Sequence, residues 1–280
     1  MAVVVVTDSA ARLPATLAAS SGILVVPLHI LVDGADLREG LDEIPVDIHD
    51  RHATTAAASP VELYAAYERA LAESKGDGVL AVHISAALSG TFGAAEQAAQ
   101  QLGSAVRVVD SRSTAMGTGF VALAAARTAA TGADLDTVTA EADAAVARGH
   151  GFIVVHQLDN LRRSGRIGGA AAWLGTALSL KPLLRIDDGK LVLAQRVRTA
   201  SKAVAAMIDR VCELVGDHSA AIAVHHVANP DGAAEVAAAL AERLPACRPP
   251  LITELGPVLA LHVGAGAVAV VLDVPDAPDQ

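Results

Sequence analysis
Residues able to do chemistry in this 280-residue chain gather in a few short stretches. The first is HISAALSGTF, residues 83–92, where an apolar run ends at Ile84 and hydroxyls follow at Ser85, Ser89 and Thr91 around Gly90. Backbone N–H groups at a helix N-terminus, helped by hydroxyl donors, suit a carboxylate or phosphate without a formal positive charge. Ordinary helix capping uses the same residue types, so an anion seat and a cap are compatible readings. As a nucleophile Ser89 lacks a Gly-x-Ser-x-Gly elbow, because Ala87 and Thr91 stand at the glycine positions. A small-molecule hydrolase or phosphotransferase pairing Ser89 with a histidine stays open as the alternative.

Other stretches carry weaker signals. Thr54 and Thr55 read as loop chemistry on their own. LRRSGRIGG (161–169) holds Arg162, Arg163 and Arg166. It reads either as a basic helix end closing at Gly165, followed by a helix with a Gly-Gly start, or as an anion or partner-docking surface. GTGFVA (117–122) matches a dinucleotide fingerprint in letters only: it does not directly follow a strand, and Asp136 falls in a predicted helix. His83, His156, His225, His226 and His262 sit in or at the ends of predicted strands, without the paired spacing of a zinc site. Such histidines are more often satisfied core residues. His262, in LHVGAG, is kept as a candidate because the small residues after it leave room for a ligand. Cys212 and Cys247 are isolated and imply neither a disulfide framework nor a metal site. Neither a metal nor a cofactor is expected.

The elements that must position these residues alternate almost throughout between β-branched runs and Ala-rich helical patterns. AVVVVTDS is a buried strand, Pro14–Ser21 a short helix, and GILVVPLHILVDG one or two strands. Residues 34–58 are polar and irregular, too long for an idle connection, and read as part of a binding surface. SPVE is a capping box, with Ser59 at N-cap and Glu62 at N3, opening a helix to about Ser74. Strands at 78–84 and 106–110 alternate with helices at Thr91–Leu102, Gly117–Thr131 and 135–148. This order predicts a mainly parallel sheet with ligands outside the carboxyl ends of its strands. After a boundary near 150 the pattern changes: a hairpin around Asp188-Gly189, a helix over 200–216, a strand AAIAVHHV, a helix over 230–244 and three apolar runs. Two α/β domains follow, 1–150 with a mainly parallel sheet and 151–280 with a mixed one.

Composition narrows the partners. The chain is 52% hydrophobic but only 2% aromatic, so any apolar cavity is walled by aliphatic groups. A net charge of −10 argues against a nucleic-acid footprint. The start lacks the basic region of a signal peptide, and no apolar run reaches the length of a membrane span; the nearest, GGAAAWLGTALSL, is broken by Gly, Thr and Ser. A cytoplasmic protein without stable membrane insertion is expected.

Eight stretches in order, VTDSAARLP, SPVELYAAY, ISAALSGTF, VVDSRSTAMGTG, LDNLRRSGRIGGAAAWLG, LKPLLRIDDGKL, VRTASKA and GPVLALHVGAGA, resemble the DegV family. The resemblance implies a two-domain α/β protein that binds one long-chain fatty acid in a tunnel between the domains. It further implies presentation of that acid to a fatty acid kinase for acyl-phosphate formation, with no catalysis by the binding protein itself. Carried over by position, Ser89 with Gly90 and Thr91, Thr55 and His262 are the expected carboxylate contacts. Of the family's Thr-Ser-Gln-Pro-Ser-Pro segment only Thr55, Ser59 and Pro60 remain here. Arg163 and Arg166 match the family's Arg-Gly-Gly-Arg-Ile-Gly signature with Ser164 at the first glycine. Arg196, Arg198 and Lys202 fall where contact with the carboxylate or the kinase is expected. Burial of a palmitoyl-length chain is worth roughly 10 kcal/mol before ordering costs, which an aliphatic lining suits.

Overall fold
The computed structural model describes residues 2–46, 48, 51–167 and 181–275. The expected Gly-Gly helix start, the apolar stretch that follows it to Leu180, and all but Pro275 of the tail PDAPDQ, whose composition leads us to expect fraying, lie outside the described residues. The chain divides into two compact units, Met1–Ala147 and Arg148–Gln280.

The first unit runs β1 (Val4–Asp8), a 3-10 turn, α1 (Ala15–Ser20), β2 (Leu24–Val26), β3 (His29–Val32), β4 (Ala35–Arg38) and β5 (Ala53–Ala56). It continues through α2 (Pro60–Ser74), β6 (Val79–His83), α3 (Thr91–Leu102), β7 (Val106–Asp110), α4 (Met116–Ala130) and α5 (Leu135–Arg148). Four strands form a wholly parallel sheet in the order β2-β1-β6-β7. The chain leaves β1 for β2 on one side and returns to β6 on the other, so a topological switch lies between β1 and β6. Every residue of β6 is buried, as a strand covered on both faces requires. The capping box forms as expected: Glu62 N–H donates to Ser59 Oγ at 3.3 Å, and Ser59 N–H donates back to Glu62 Oε2 at 2.8 Å.

GTGFVA lies inside α4, a helix apolar on all sides and almost wholly buried, which removes the dinucleotide-loop reading. Gly119 lets this helix press on the turn after β1; a Cβ there would stand 3.0 Å from the Ala11 carbonyl oxygen.

The stretch 34–58 corrects the expectation of an irregular surface. Within it β4 and β5 pair antiparallel on either side of β3, and Asp33-Gly34, at φ 51° and 81°, closes the β3–β4 hairpin. Asp and Gly tolerate these left-handed angles, which match the twist of a two-residue hairpin. The same signal at Asp188-Gly189, with φ 46° and 76°, joins two strands of the second unit as expected.

The second unit comprises β8 (Gly149–Val154), α6 (Asp159–Arg163), β9 (Lys181–Asp187), β10 (Lys190–Val197), α7 (Ala200–Val215), β11 (Ala221–His226), α8 (Pro230–Arg243), β12 (Leu251–Glu254), α9 (Gly256–Val263) and β13 (Val268–Asp273). Its sheet has the order β10-β9-β8-β13-β11-β12, antiparallel except for the β11–β12 pair, hence mixed. α7 and α8 cover it through a core that includes Phe152, Leu183, Met207, Val224 and Leu240. Thr199 and Asn229 cap these helices by accepting from Lys202 N–H at 3.3 Å and Gly232 N–H at 3.2 Å. His262 does not sit in or beside a strand: the run GPVLALHV is helix α9, opened by a proline in its first turn. A short apolar run without alternation fits helix and buried strand equally well by periodicity, and here proline decides.

Ala115 precedes α4 at φ 51°, ψ −147°, a region that residues other than glycine rarely occupy, at a cost of about 1–3 kcal/mol. Ala115→Gly relieves that cost and adds about 0.4–1 kcal/mol of unfolded-state entropy. The expected net gain is about 1 kcal/mol, seen by calorimetry as a melting temperature about 3 °C higher. A lower melting temperature for the glycine variant refutes the strain account.

Candidate ligand-binding site
Parallel strands release their side chains and loop amides at their carboxyl ends, and three such ends meet around the switch between β1 and β6. β1 ends at Asp8, β6 at His83 and β7 at Asp110, with His83 and Asp110 directly paired. The loop after β6 is folded by its own hydrogen bonds. Ser85 N–H donates to the Ser113 carbonyl at 2.9 Å, and the Ser85 carbonyl accepts from Leu88 N–H at 2.9 Å and Ser89 N–H at 3.0 Å. Asp110 Oδ1 accepts from Ala86 N–H at 3.2 Å and Arg112 N–H at 2.8 Å, tying this loop to the one after β7.

Ser89 and Gly90 are brought by this loop to the start of α3, with Gly90 at its N-cap. Ser89 Oγ accepts from Thr91 N–H at 3.3 Å and lies 2.9 Å from Thr91 Oγ1. Thr91 is fully buried whereas Ser89 is partly exposed and Gly90 exposed. If the Thr91 hydroxyl donates to Ser89 Oγ, the Ser89 O–H is left to point outward. The first amides of α3 have no intrahelical partners, and the helix dipole favours negative charge there. What the arrangement offers is a set of hydrogen-bond donors suited to an anion.

Thr55 stands on β5 opposite Ile30. Directly paired residues share a face; Ile30 is 0% exposed, while Leu31 on the other face is 40% exposed. Thr55 therefore faces the protein side of the small sheet, and Thr54 faces solvent. Thr55, Ser89, Gly90 and Thr91 all belong to the first unit, whereas the remaining candidates belong to the second.

In the second unit, α6 ends in a Schellman motif. Gly165 N–H donates to the Arg162 carbonyl at 3.1 Å and Arg166 N–H to the Leu161 carbonyl at 3.1 Å, with Gly165 at φ 72°. Only Gly165 needs a left-handed backbone. Ser164, at φ −82°, replaces the family's first glycine without strain. Arg163 is exposed and donates to Asn160 Oδ1 at 2.7 Å, while Arg166 is half-buried and donates to the Ser164 carbonyl.

α6 packs against α9, which carries His262. Burial first, and the Arg166 guanidinium second, lower the His262 pKa to about 4, so its ring is neutral at pH 7. At two of the small residues after it, protein side chains lie where a Cβ would point. A Cβ on Gly264 would stand 3.0 Å from Asn160 Nδ2, and one on Gly266 would stand 2.7 Å from the His156 ring. These glycines admit protein side chains. Arg196, Arg198 and Lys202 are exposed in succession around the turn from β10 into α7. His225 and His226 are buried and engaged, with Thr253 Oγ1 2.8 Å from His225 Nδ1 and Asn229 N–H 3.4 Å from His226 Nδ1.

Sequence reasoning passed over one cluster. Asp8, His83 and Tyr67 are all 0% exposed and form a side-chain chain beneath the Ser85–Ser89 loop. Asp8 Oδ2 lies 2.9 Å from His83 Nδ1, and Tyr67 Oη lies 2.7 Å from His83 Nε2. Three residues spread over 75 positions give no local pattern; the available signal was that Asp8 and His83 both end predicted parallel strands. Among the described residues no group of three or more His, Cys, Asp or Glu side chains is placed to hold a metal ion. No helix among them is long and apolar enough to cross a membrane.

Comparison with known proteins bears on this arrangement. A model of the DegV family, described as uncharacterised proteins, matches residues 2–274. A DegV domain-containing protein of Mycobacterium tuberculosis is 70% identical over 99% of both chains. Another from Streptomyces coelicolor is 40% identical over 96% of this chain and 98% of its own. Among solved structures, a DegV family protein of Thermus thermophilus described by its fatty acid binding has 34% identity and a TM-score of 0.91, covering 98% of this chain and 100% of its own. DegV of Bacillus subtilis, described as a fatty acid binding protein, has 28% identity and a TM-score of 0.89 over 98% of this chain and 100% of its own. Matched along nearly its whole length in sequence and in fold, this chain belongs to the DegV family.

Proposed function
We propose that this protein binds a single long-chain fatty acid, receives its carboxylate on the Ser89 and Thr55 hydroxyls and the first amides of α3, and presents it to a fatty acid kinase. The observation that carries this reading is the Ser89–Thr91 hydroxyl pair at the α3 N-terminus, beside the switch point of a parallel sheet. A carboxylate taken out of water must collect several hydrogen bonds or a proton, and this turn supplies donors. Thr91, buried behind Ser89, contributes by orienting the Ser89 hydroxyl. The fatty acid binding described for the Thermus and Bacillus relatives supports the same ligand class.

The alternative, hydrolysis or phosphotransfer through Ser89 and a histidine, finds less support. Ser89 Oγ is engaged with Thr91, and both ring nitrogens of His83 are engaged, with Asp8 and Tyr67. The fatty acid binding described for the Thermus and Bacillus relatives favours carriage without catalysis. His262 is proposed as a further contact of the carboxylate. The exposed cations Arg196, Arg198 and Lys202, together with Arg163 and Arg166, are proposed for the kinase or carboxylate. A cytoplasmic setting, where thiols stay reduced, suits the free thiols of Cys212 and Cys247.

Mass spectrometry of lipid extracted from the denatured protein is expected to find one fatty acid per chain. Protein that carries none, and takes up neither palmitate nor oleate, overturns the reading. Ser89→Ala removes a hydrogen bond to a charged group, worth about 1.5–3 kcal/mol, so calorimetric affinity for palmitate is expected to fall about 10- to 100-fold.

With a fatty acid kinase and ATP, the wild type should support acyl-phosphate formation, and Arg196→Glu combined with Lys202→Glu should slow it; unchanged palmitate affinity then assigns the pair to the kinase, and a lowered affinity assigns it to the carboxylate. Equal rates remove those residues from the docking surface.

His262 gives a pH test. Its folded pKa is depressed, so the unfolded chain binds more protons between about pH 6.5 and 4, and stability rises with pH through that window. Urea unfolding of wild type relative to His262→Gln should show that slope and level off above it. A carboxylate beside the ring favours the imidazolium, so palmitate should shift the ring's titration upward from about 4 in nitrogen-resolved NMR. An unmoved titration removes His262 from the contact set.

A further inference from the structure
The fatty-acid reading leaves the Asp8–His83–Tyr67 chain without a task, although burying three polar side chains in an aliphatic core is costly unless each is satisfied. Each is satisfied in a particular direction. Asp8 Oδ1 accepts from Ala10 N–H at 3.0 Å, which turns the chain out of β1. Asp8 Oδ2 accepts from Ile84 N–H at 3.0 Å, which turns the chain out of β6. Because a carboxylate accepts, the hydrogen between Asp8 and His83 sits on Nδ1, 2.9 Å away. With that hydrogen on Nδ1 as the ring's single one, Nε2 is an acceptor, and the Tyr67 O–H donates to it across 2.7 Å. Burial first, and the Asp8 charge second, push the phenol pKa upward and keep it a donor.

The bonds run toward the ligand turn from both directions. Ile84, held by Asp8, is followed at once by Ser85, whose carbonyl accepts from Ser89 N–H at 3.0 Å. Tyr67 lies on α2, the helix entered directly from β5, which carries Thr55. A continuous hydrogen-bonded path thus links the helix that follows one candidate hydroxyl to the loop that presents the other.

We propose that Asp8, His83 and Tyr67 are positioning residues for head-group recognition, holding the Ser85–Ser89 loop in the one arrangement in which Ser89 meets a carboxylate. The proposal rests on the reading of Ser89 as the carboxylate seat. None of the three touches the ligand. Their effect is on selectivity for an acid over an uncharged head group of equal chain length, because the acyl chain's burial does not depend on the loop's donors while the head group's does.

The test compares palmitate with hexadecanol, both delivered on cyclodextrin, by calorimetry on the full chain. Wild type is expected to prefer the acid by at least about tenfold. Tyr67→Phe, which deletes one oxygen and keeps the ring, is expected to lower that preference about fivefold by loss of one hydrogen bond, with hexadecanol affinity unchanged. Asp8→Asn places an N–H₂ where a backbone donor needs an acceptor and should abolish the preference. Should Asp8→Asn fail to fold, Tyr67→Phe decides alone. A folded Tyr67→Phe with wild-type preference overturns the proposal, and so does an equal loss for both ligands, which marks a purely structural role. Wild type that binds neither ligand, or both equally, fails differently: it overturns the carboxylate seat itself and this proposal with it.

Discussion
The first unit is organised around a carboxylate that water does not reach. Asp8 is fully buried at the end of β1 and accepts from the backbone of Ala10, the backbone of Ile84 and the ring of His83. A buried charge is tolerable only with its acceptor capacity filled, and here two of the three filling groups are backbone amides just past the ends of two adjacent strands. One electrostatic requirement thereby fixes where β1 and β6 stop and how the chain turns afterward. The loop so fixed after β6 carries Ser89, the hydroxyl proposed above to receive the carboxylate. Ser9 extends the same edge, donating to Glu39 Oε2 at 2.6 Å and accepting from Leu28 N–H at 3.0 Å.

Around that edge the core is built of small pieces. α4 fills the space under β1 with alanines and glycines, and Gly119 brings its backbone close to the turn after Asp8. With aromatic residues at 2% of the chain, close approach of backbones replaces filling by large rings. The second unit uses glycine for a related purpose. Gly264 and Gly266 admit Asn160 and His156, which fixes the segment after His262 against the β8–α6 connection. At Gly119, Gly264 and Gly266 the space that the missing side chain releases is occupied by protein, whereas Gly90 and Gly165, beside candidate residues, face open space.

Legibility in the sequence followed the range of the interaction. The capping box at Ser59–Glu62, the Asp188-Gly189 hairpin, the parallel order of the first unit and the helix at Thr91–Leu102 depend on neighbours within a few residues or on strict periodicity, and all were readable. The equivalent hairpin at Asp33-Gly34 carried the same dipeptide but flanked a strand, Ala35–Arg38, too polar to register as one. Its partner strands β3 and β5 supply the pairing that its own side chains do not advertise. Gly256–Val263 failed for the opposite reason, being apolar at nearly every position and so without a period to read.

The sequence by itself determined the family, the two α/β units and the hydroxyl-glycine turn, because each rests on order along the chain, local backbone preference or the alternation of apolar runs. Only the tertiary structure decided which polar groups share a buried site. Asp8, Tyr67 and His83 are joined by hydrogen bonds across 75 residues of chain. Likewise Thr91 proved to stand behind Ser89, and His262 to lie on a helix near Arg166. A hydrogen bond acts over about 3 Å in space irrespective of separation in sequence, and parallel strands bring distant residues to one edge. No local pattern in the sequence encodes that meeting.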